Sequence, residues 1–370
     1  MESIYHYLKK YCDETASERP ISEEDAVILC TLCYLLFEKV ITSDEKMRLV
    51  DFAPLLKELG EGAVFGRSTI KLFKKAVHSR RYKDVILEKV TTIADPKKST
   101  QFAAMIFRFD LTHIFVAYRG TDLTFTGWKE DCMLALSARL EGHIEAGAYL
   151  DSIIEENPRT IIHVGGHSKG GNLATYSLYS TKPENVKQIE RVYDLDGPGF
   201  KTDLFKQESL HENHDKIIKI IPQDDIVGQL LDSNPKYRVI KSSRLGASQH
   251  ITFYWHFKDG KLRYVPDVSQ FTKRFSHNMK LWLRETPKED LRMFVNHAFN
   301  IFEAAGIENF GDVKSFSLKK IREVVDNYSN LDEKYRENIK MMISAIVRIY
   351  FTSMFKVMKP KEKLTKKKTK

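Results

Sequence analysis

With 370 residues, 42% of them apolar and 11% aromatic, the chain can bury a large core and is not a mainly disordered protein. We expect one large domain and an accessory region. Much of the net charge of +9 lies in residues 359–370, KPKEKLTKKKTK, which hold seven lysines and one glutamate. We expect a disordered tail there, although a lysine-rich tail can also attract an anionic membrane surface or nucleic acid.

The cysteines and the N-terminus argue against a zinc site and against secretion. Cys30 and Cys33 form a CxxC inside the apolar run AVILCTLCYLLF, with no second CxxC and no nearby pair of histidines. We therefore interpret them as buried thiols rather than metal ligands. The first residues, MESIYHYLKKYCDE, lack the pattern of a signal peptide, so we expect the protein in the reducing cytoplasm.

The first part of the chain predicts helices. Ser22 and Asp25 resemble a capping box, and apolar residues at helical spacing follow them as far as Phe37. Further helices are predicted over residues 45–59 and 68–80. The pattern then changes to short runs of β-branched and aromatic residues bounded by polar turns, which predict strands at 84–94, 102–109 and 113–118.

Strands and helices alternate in the middle of the chain. Strands are predicted at 160–164, 191–195, 216–221 and 237–242. Helices are predicted at 143–156 and 171–180. This alternation indicates an α/β fold with a mostly parallel central sheet that is covered on both faces.

From about residue 285 onward the sequence predicts helices only. Residues 341–358 are predicted to form a helix with one narrow polar stripe, which is typical of a helix packed in protein, although contact with a membrane surface is an alternative. We therefore expect a large domain with N-terminal helices over residues 1–268, a helical C-terminal extension over 269–358 and a basic tail over 359–370.

One motif carries most of the functional information. Gly166-His167-Ser168-Lys169-Gly170 is a GxSxG that follows a predicted strand and opens a predicted helix. A sharp strand-to-helix turn exposes the serine oxygen and crowds the residues two before and two after it, which explains glycine at both positions. We predict that Ser168 is a nucleophile and that the backbone N–H of Lys169 faces a developing oxyanion.

A second segment offers another oxyanion donor. In FVAYRGTD, residues 115–122, a predicted strand ends at Tyr118 and a turn follows. Hydrolases with a serine on such a turn take their second donor from the loop after an early strand. We assign this role to the backbone N–H of Thr121 and expect its loop to lie beside that of Ser168. An ordinary turn is the alternative reading.

Together the segments RGTD with GWKED, and GGHSKGGNLA with DGPGF, resemble the lipase-like Mbeg1-like family and, more distantly, the class 3 or fungal-type lipases. The resemblance runs from about residue 25 to residue 257. It implies an α/β-hydrolase fold and a serine nucleophile, but it does not imply a particular substrate. The side chain of His167 should point away from the serine oxygen, so we expect a structural role for it. Trp128 and Asp131 in GWKED are expected to brace the oxyanion loop, with direct contact to the substrate as the alternative.

The base and the acid of a catalytic triad follow the serine along the chain on this fold. His250 in GASQHITFYW comes after a late strand and matches the QH–W segment of the family, so we assign it as the base. The acid stays open between three aspartates at strand ends. Asp225, whose DIV resembles that of class 3 lipases, is placed first, Asp196 second and Asp224 third.

The sequence thus predicts a serine esterase of lipase type that needs no cofactor and no metal, acting on a small-molecule or lipid ester. Two alternatives are open: a catalytically silent hydrolase scaffold used for binding, and a protein that binds anionic surfaces or nucleic acid through its basic tail. Of these partners, nucleic acid is the less expected one.

Overall fold

A computed structural model of the protein describes residues 2–95, 100–122, 125–137, 139–201, 213–232 and 236–304, with Glu333, Arg336 and Glu337. The α-helices in these residues are α1 Ile4–Tyr11, α2 Glu23–Leu32, α3 Leu56–Gly60, α4 Gly66–Ala76, α5 Phe125–Met133, α6 Glu141–Glu156, α7 Lys169–Ser180, α8 Gln270–Glu285 and α9 Lys288–Ala304. The strands are β1 Lys46–Arg48, β2 Ile86–Asp95, β3 Thr100–Arg108, β4 His113–Tyr118, β5 Ile161–His167, β6 Ile189–Leu195, β7 Ile217–Pro222, β8 Tyr237–Ile240, β9 Phe257–Lys258, β10 Lys261–Leu262 and β11 Tyr264–Val265.

The central sheet is mixed rather than mostly parallel. Its strand order is β1-β2-β3-β4-β5-β6-β7-β8-β11, and only the pairings from β4 to β8 are parallel. The pairings β1–β2, β2–β3, β3–β4 and β8–β11 are antiparallel. The expectation of a mostly parallel sheet is therefore corrected. The physical reason lies in the short connections between β2, β3 and β4, because parallel neighbours need a crossover of a dozen or more residues.

Two hydrophobic cores lie on the two faces of this sheet, as an α/β-hydrolase fold requires. The helices α1, α2 and α4 cover one face, and α6 and α7 cover the other. Side chains of β4 alternate between the cores: Phe115 and Ala117 belong to the first, whereas Ile114 and Val116 belong to the second. The parallel strands are thus buried on both sides, and their carboxyl ends form one edge.

The N-terminal predictions were partly right. The capping box that begins α2 is present, with Ser22 N–H donating to Asp25 Oδ2 at 2.9 Å and Asp25 N–H donating to Ser22 Oγ at 3.4 Å. The helix predicted over 45–59 was right only in part, since a 3₁₀ segment Leu49–Leu55 and α3 occupy most of that range. Residues 46–48 form β1, which pairs with β2, and Pro54 lies in the 3₁₀ segment that follows. Pairing with a distant strand overrode the local helical spacing.

The beginning of the C-terminal extension packs on the rest of the chain. Leu291 and Val295 of α9 share a small core with Leu136, which follows α5, and Trp282 of α8 packs against it. The predicted helix over 341–358 and the basic tail over 359–370 lie outside the described residues. Among the helices that the structure describes, none has the length and apolar character needed to cross a bilayer.

Candidate active site

Ser168 occupies a strained turn between β5 and α7. Its backbone has φ 60° and ψ −131°, a conformation that L-residues rarely adopt. Backbone strain of this kind persists only where the surrounding structure enforces it, and it concentrates at functional sites. Ser168 is partly exposed, whereas the neighbouring residues 162–167 and 169–170 are buried. The serine is therefore the residue at which this turn is open to solvent.

Sterics explain both glycines of the motif. A Cβ on Gly166 would lie 2.1 Å from the backbone carbon of Gly170, and a Cβ on Gly170 would lie 2.2 Å from the carbonyl oxygen of Tyr118. These contacts are with backbone atoms, which cannot move aside without displacing β4 or α7. The sequence-based reason for glycine at these two positions is therefore confirmed.

His250 meets two aspartates at the same sheet edge. Its Nδ1 lies 2.7 Å from Asp196 Oδ2 and 3.5 Å from Asp225 Oδ2. The sequence placed Asp225 ahead of Asp196, and the geometry reverses that order. The reason is strand order: Asp196 follows β6, the direct neighbour of β5, whereas Asp225 follows β7, which is one strand farther from Ser168. The number of residues between each aspartate and His250 was therefore the wrong criterion for ranking the two aspartates.

The turn that carries Asp196 is held from several sides. Asp196 has φ 56°, and its Oδ1 accepts a hydrogen bond from Gly228 N–H at 3.1 Å. Just before it, Asp194 accepts from Gly197 N–H at 2.8 Å and forms a buried ion pair with Lys219 at 2.6 Å. These contacts fix the carboxylate of Asp196 in the orientation that meets His250.

The two carboxyl groups and the imidazole influence one another. Burial and the nearby charge of Asp225 raise the pKa of Asp196 well above its ordinary value. Burial alone would lower the pKa of His250, but hydrogen bonds to Asp196 and Asp225 outweigh it and raise that pKa. One oxygen of Asp225, Oδ1, is buried and has no hydrogen-bond partner among the described residues. A second carboxyl therefore backs the His250–Asp196 pair.

Within the described part of the chain, these three residues are also the group whose side chains could hold a metal ion. Their ligand atoms all lie within 4.8 Å of one another. The separation of 2.7 Å between His250 Nδ1 and Asp196 Oδ2 is, however, that of a direct charge-assisted hydrogen bond. The geometry fits an acid–base pair better than a pair of ligands held apart by an ion.

His167 supports the site from behind. Its Nδ1 lies 2.9 Å from the hydroxyl of Tyr34, and its Nε2 lies 2.8 Å from the backbone oxygen of His250. The side chain thus ties the elbow to the loop of His250, in agreement with the structural role expected for it. Burial, and after it the charge of His250, lowers the pKa of His167 to about 3, so this ring is neutral.

The segment predicted to supply the oxyanion donor lies at the same edge. Tyr118 of β4 pairs in parallel with Gly166 of β5, so the loops that follow these residues emerge side by side, as predicted. A Cβ on Gly120 would lie 2.5 Å from the carbonyl oxygen of His167, which shows how closely the loop approaches the elbow. Thr121 follows directly.

Asp131 braces this loop from α5. Thr121 Oγ1 donates to Asp131 Oδ2 at 2.5 Å, and the other carboxylate oxygen of Asp131 is buried without a partner among the described residues. Burial raises the pKa of Asp131 to about 6. The hydrogen bond from Thr121 supports the bracing role expected for Asp131. The same role predicted for Trp128 stays a prediction, because its side chain lies outside the described part of the structure.

The side chain of Lys169 has a role that the sequence did not reveal. Lys169 Nζ is buried and donates to Glu130 Oε2 and to the carbonyl oxygen of Gln101, both at 2.7 Å. This ion pair joins the elbow to α5, which carries Asp131. The backbone N–H of Lys169, at the first position of α7, is one of the donors that a helix leaves without an internal partner.

We expect Glu130→Gln to destabilise the protein by about 3–5 kcal/mol, because it leaves the buried ammonium of Lys169 without its counter-charge. Urea unfolding measures the change. The matched control is Glu155→Gln, which breaks the exposed pair with Lys182, also 2.7 Å long. An exposed pair contributes about 0–1 kcal/mol. Equal losses in the two variants would contradict the special role of the buried pair.

A buried histidine holds the loop after Asp196. His143 Nδ1 accepts from Leu140 N–H at 3.1 Å, and its Nε2 lies 2.7 Å from Asn172 Oδ1. The amide of Asn172 in turn donates to the carbonyl oxygens of Pro198 and Gly199 at 3.2 and 3.0 Å. The network requires a neutral His143, because a protonated ring would have no acceptor for Leu140.

Neutral buried histidines predict acid sensitivity. Burial lowers the pKa of His143 and of His163 to about 4 and, with the charge of His250, that of His167 to about 3. Between about pH 6.5 and pH 4 the unfolded chain binds protons that the folded chain does not, so stability is lost as the pH falls. Each histidine contributes a slope of about 1.4 kcal/mol per pH unit.

Urea unfolding at pH 7, 6 and 5 measures this slope. His143→Gln should reduce the slope of the unfolding free energy against pH by the contribution of one histidine. This holds even if the variant is less stable at every pH. His277→Gln, at an exposed position of α8, should leave the slope unchanged. The comparison of slopes is the test, because the raised pKa values of Asp131 and Asp196 act in the opposite direction in every variant. An equal slope in His143→Gln and in the natural protein would show that His143 is not held neutral.

The chain is similar to one protein family and, at low identity, to several solved lipases. The model of the Mbeg1-like family matches residues 76–300. Among solved structures, a fungal lipase known for an unusual buried polar cluster is 11% identical with a TM-score of 0.38, covering 68% of this chain and 89% of its own. MDLA of Penicillium cyclopium, in a mutant form, is 10% identical with a TM-score of 0.38, covering 66% and 87%. The Rhizomucor miehei lipase–propeptide complex is 15% identical with a TM-score of 0.32, covering 46% and 69%.

No curated protein sequence matches the chain. The family match spans more than half of the chain, and it includes the elbow of Ser168, the segment after Asp196 and the loop of His250. The chain therefore belongs to the Mbeg1-like family.

Proposed function

We propose that the protein is a serine hydrolase that cleaves a carboxylic ester of a lipid-like substrate through an acyl-enzyme on Ser168. One observation carries the proposal: a partly exposed serine on a strained strand-to-helix turn shares a sheet edge with an imidazole that is hydrogen-bonded to a buried carboxylate. A passive turn would need neither the backbone strain nor the buried acid–base pair.

The first step of the proposed reaction follows from the tautomer of His250. Because Asp196 accepts a hydrogen bond from Nδ1, the Nε2 atom of the neutral ring is left as a proton acceptor. Nε2 takes the proton of Ser168, and Oγ attacks the ester carbonyl. The backbone N–H groups of Thr121 and Lys169 then stabilise the oxyanion, and Asp196 stabilises the imidazolium.

The second half of the reaction reuses the same residues. The imidazolium of His250 gives its proton to the leaving alcohol, which departs and leaves an acyl group on Ser168. Water then loses a proton to His250 and attacks the acyl carbonyl, and the carboxylic acid leaves as the proton returns to Ser168. The chain's own residues are sufficient for each of these proton transfers.

Covalent labelling tests the proposal directly. A fluorophosphonate should modify the protein, and mass spectrometry of the digested protein should find the adduct on the peptide that contains Ser168. A panel of p-nitrophenyl esters from butyrate to palmitate then measures the preferred acyl chain. A protein that takes no label and turns over none of these esters would favour the alternative of a silent scaffold.

A further inference from the structure

A cavity of about 460 Å³ lies between the segment that follows Asp196 and the helices of the C-terminal extension. Phe200 and Lys201 line it on the side of the first segment, with Leu231 and Asp232 beside them. The opposite wall comes from the end of α8 and the beginning of α9. This cavity is separate from the acid–base pair, but the segments that continue from Asp196 and from Asp225 line one side of it.

The cavity lies within reach of a substrate bound at Ser168. Phe200 is four residues after Asp196, which limits the separation of their Cα atoms to about 14 Å. The segment is not free to move away, because Phe200 N–H donates to the carbonyl oxygen of Asp232 at 2.6 Å and Asp232 N–H donates back at 2.9 Å. Asn172 of α7 holds Gly199 from the other side at 3.0 Å. A molecule of lipid size is long enough to span the separation between Asp196 and Phe200.

Positive charge is concentrated in the wall of the cavity. Four cationic residues line it against two acidic ones, and the cationic ones are Lys201, Lys280, Arg284 and Lys288. Arg284 lies 3.4 Å from Asp232, whereas Lys280 is half-buried and makes no ion pair with a described carboxylate. Burial lowers the pKa of Lys280, which indicates that its ammonium is incompletely solvated.

The cationic residues of the wall repel one another, and Asp232, which is paired with Arg284, offsets part of this repulsion. Lys280 and Arg284 are four residues apart on α8, where like charges repel one another. Lys288 is the first residue of α9, at the end of the helix whose dipole disfavours a cation. Leucine and proline side chains at positions 231, 283, 287 and 291 line the same cavity. Such a cavity complements an amphiphile with a negatively charged group.

Building on the proposed function, we propose that this cavity binds the anionic headgroup of the ester substrate, a phosphate-type oxyanion such as that of a lysophospholipid. The ester bond of that substrate lies at Ser168 while Lys280 and Arg284 contact the oxyanion. The site thus selects anionic over neutral lipid esters, since charge-assisted contacts to an oxyanion are lost with an uncharged headgroup.

Binding and hydrolysis are measured separately. The full-length Ser168→Ala protein is titrated calorimetrically with octyl phosphate, octyl glucoside and inorganic phosphate. The test variant carries Lys280→Gln with Arg284→Gln. The matched control carries Lys273→Gln with Arg292→Gln, which removes the same charge from exposed positions of α8 and α9. The same pairs of changes in the active protein are assayed with lysophosphatidic acid and with a monoacylglycerol of equal chain length.

We expect octyl phosphate to bind at least about tenfold more tightly than octyl glucoside, and the test variant to lose about tenfold in that affinity, as expected for lost contacts to charged groups. The control should stay within about twofold, because exposed ion pairs contribute little. In the active protein, kcat/KM for lysophosphatidic acid should fall about tenfold in the test variant, with that for the monoacylglycerol unchanged.

Three results would overturn the inference. The first is equal affinity of the test and control variants for octyl phosphate. The second is inorganic phosphate binding as tightly as octyl phosphate, which would make the cavity a site for free phosphate. The third is an equal loss of kcat/KM for the charged and neutral esters. If no ester is hydrolysed but the binding difference holds, the proposed function fails and the ligand class of the cavity stands.

Discussion

Ser168→Ala is expected to lower kcat for p-nitrophenyl esters by about 10⁴- to 10⁶-fold, the loss typical of a removed serine nucleophile. We expect the variant to keep the native fold, because alanine at this position keeps the backbone geometry of the elbow and removes only Oγ. Steady-state kinetics measures the first effect and thermal unfolding the second. Loss of the fluorophosphonate adduct should accompany the loss of activity.

The control for this prediction is another serine of the same helix. Ser180 of α7 donates its hydroxyl to the carbonyl oxygen of Ser177 at 3.1 Å and lies at the far end of the helix from the elbow. Ser180→Ala should therefore keep nearly full activity. Near-normal turnover by Ser168→Ala, with the adduct still formed, would mean that the chemistry lies elsewhere in the chain.

The parts of the fold that the sequence could predict are those determined by neighbouring residues. The elbow is one of them, because Gly166 and Gly170 are required by contacts within the motif and with the adjacent strand. The capping box at Ser22 is another, since its two hydrogen bonds span only three residues. The buried strands carried a clear signal of β-branched and aromatic residues between polar turns.

What the sequence could not predict depends on partners distant in the chain. Residues 46–48 became a strand because β2, some 40 residues later, pairs with them. The ion pair of Lys169 joins residues 39 apart, and no local pattern marks Glu130 as its partner. The position of His250 could be predicted from its motif, but the ranking of the two aspartates needed the order of β6 and β7 in the sheet.

The acid of the triad is the second residue whose loss should have a very large effect. Asp196→Asn is expected to lower kcat by up to about 10⁴-fold with little change in KM, because an amide no longer selects the His250 tautomer or stabilises the imidazolium. Asp225→Asn should cost much less, since Asp225 Oδ2 is 3.5 Å from Nδ1 where Asp196 Oδ2 is 2.7 Å away. Asp224→Asn serves as the control, because Asp224 binds Gln249 instead.

The pH dependence of kcat/KM gives a second test of the role of Asp225. The charge of Asp225 raises the pKa of Asp196 and contributes to the raised pKa of His250. Removing that charge in Asp225→Asn lets both pKa values fall, so an ionised Asp196 and a neutral His250 persist to lower pH. The acidic limb of the kcat/KM profile should therefore move to lower pH in this variant. A large loss of kcat in Asp225→Asn, with Asp196→Asn nearly intact, would restore the order that the sequence suggested and make Asp225 the acid.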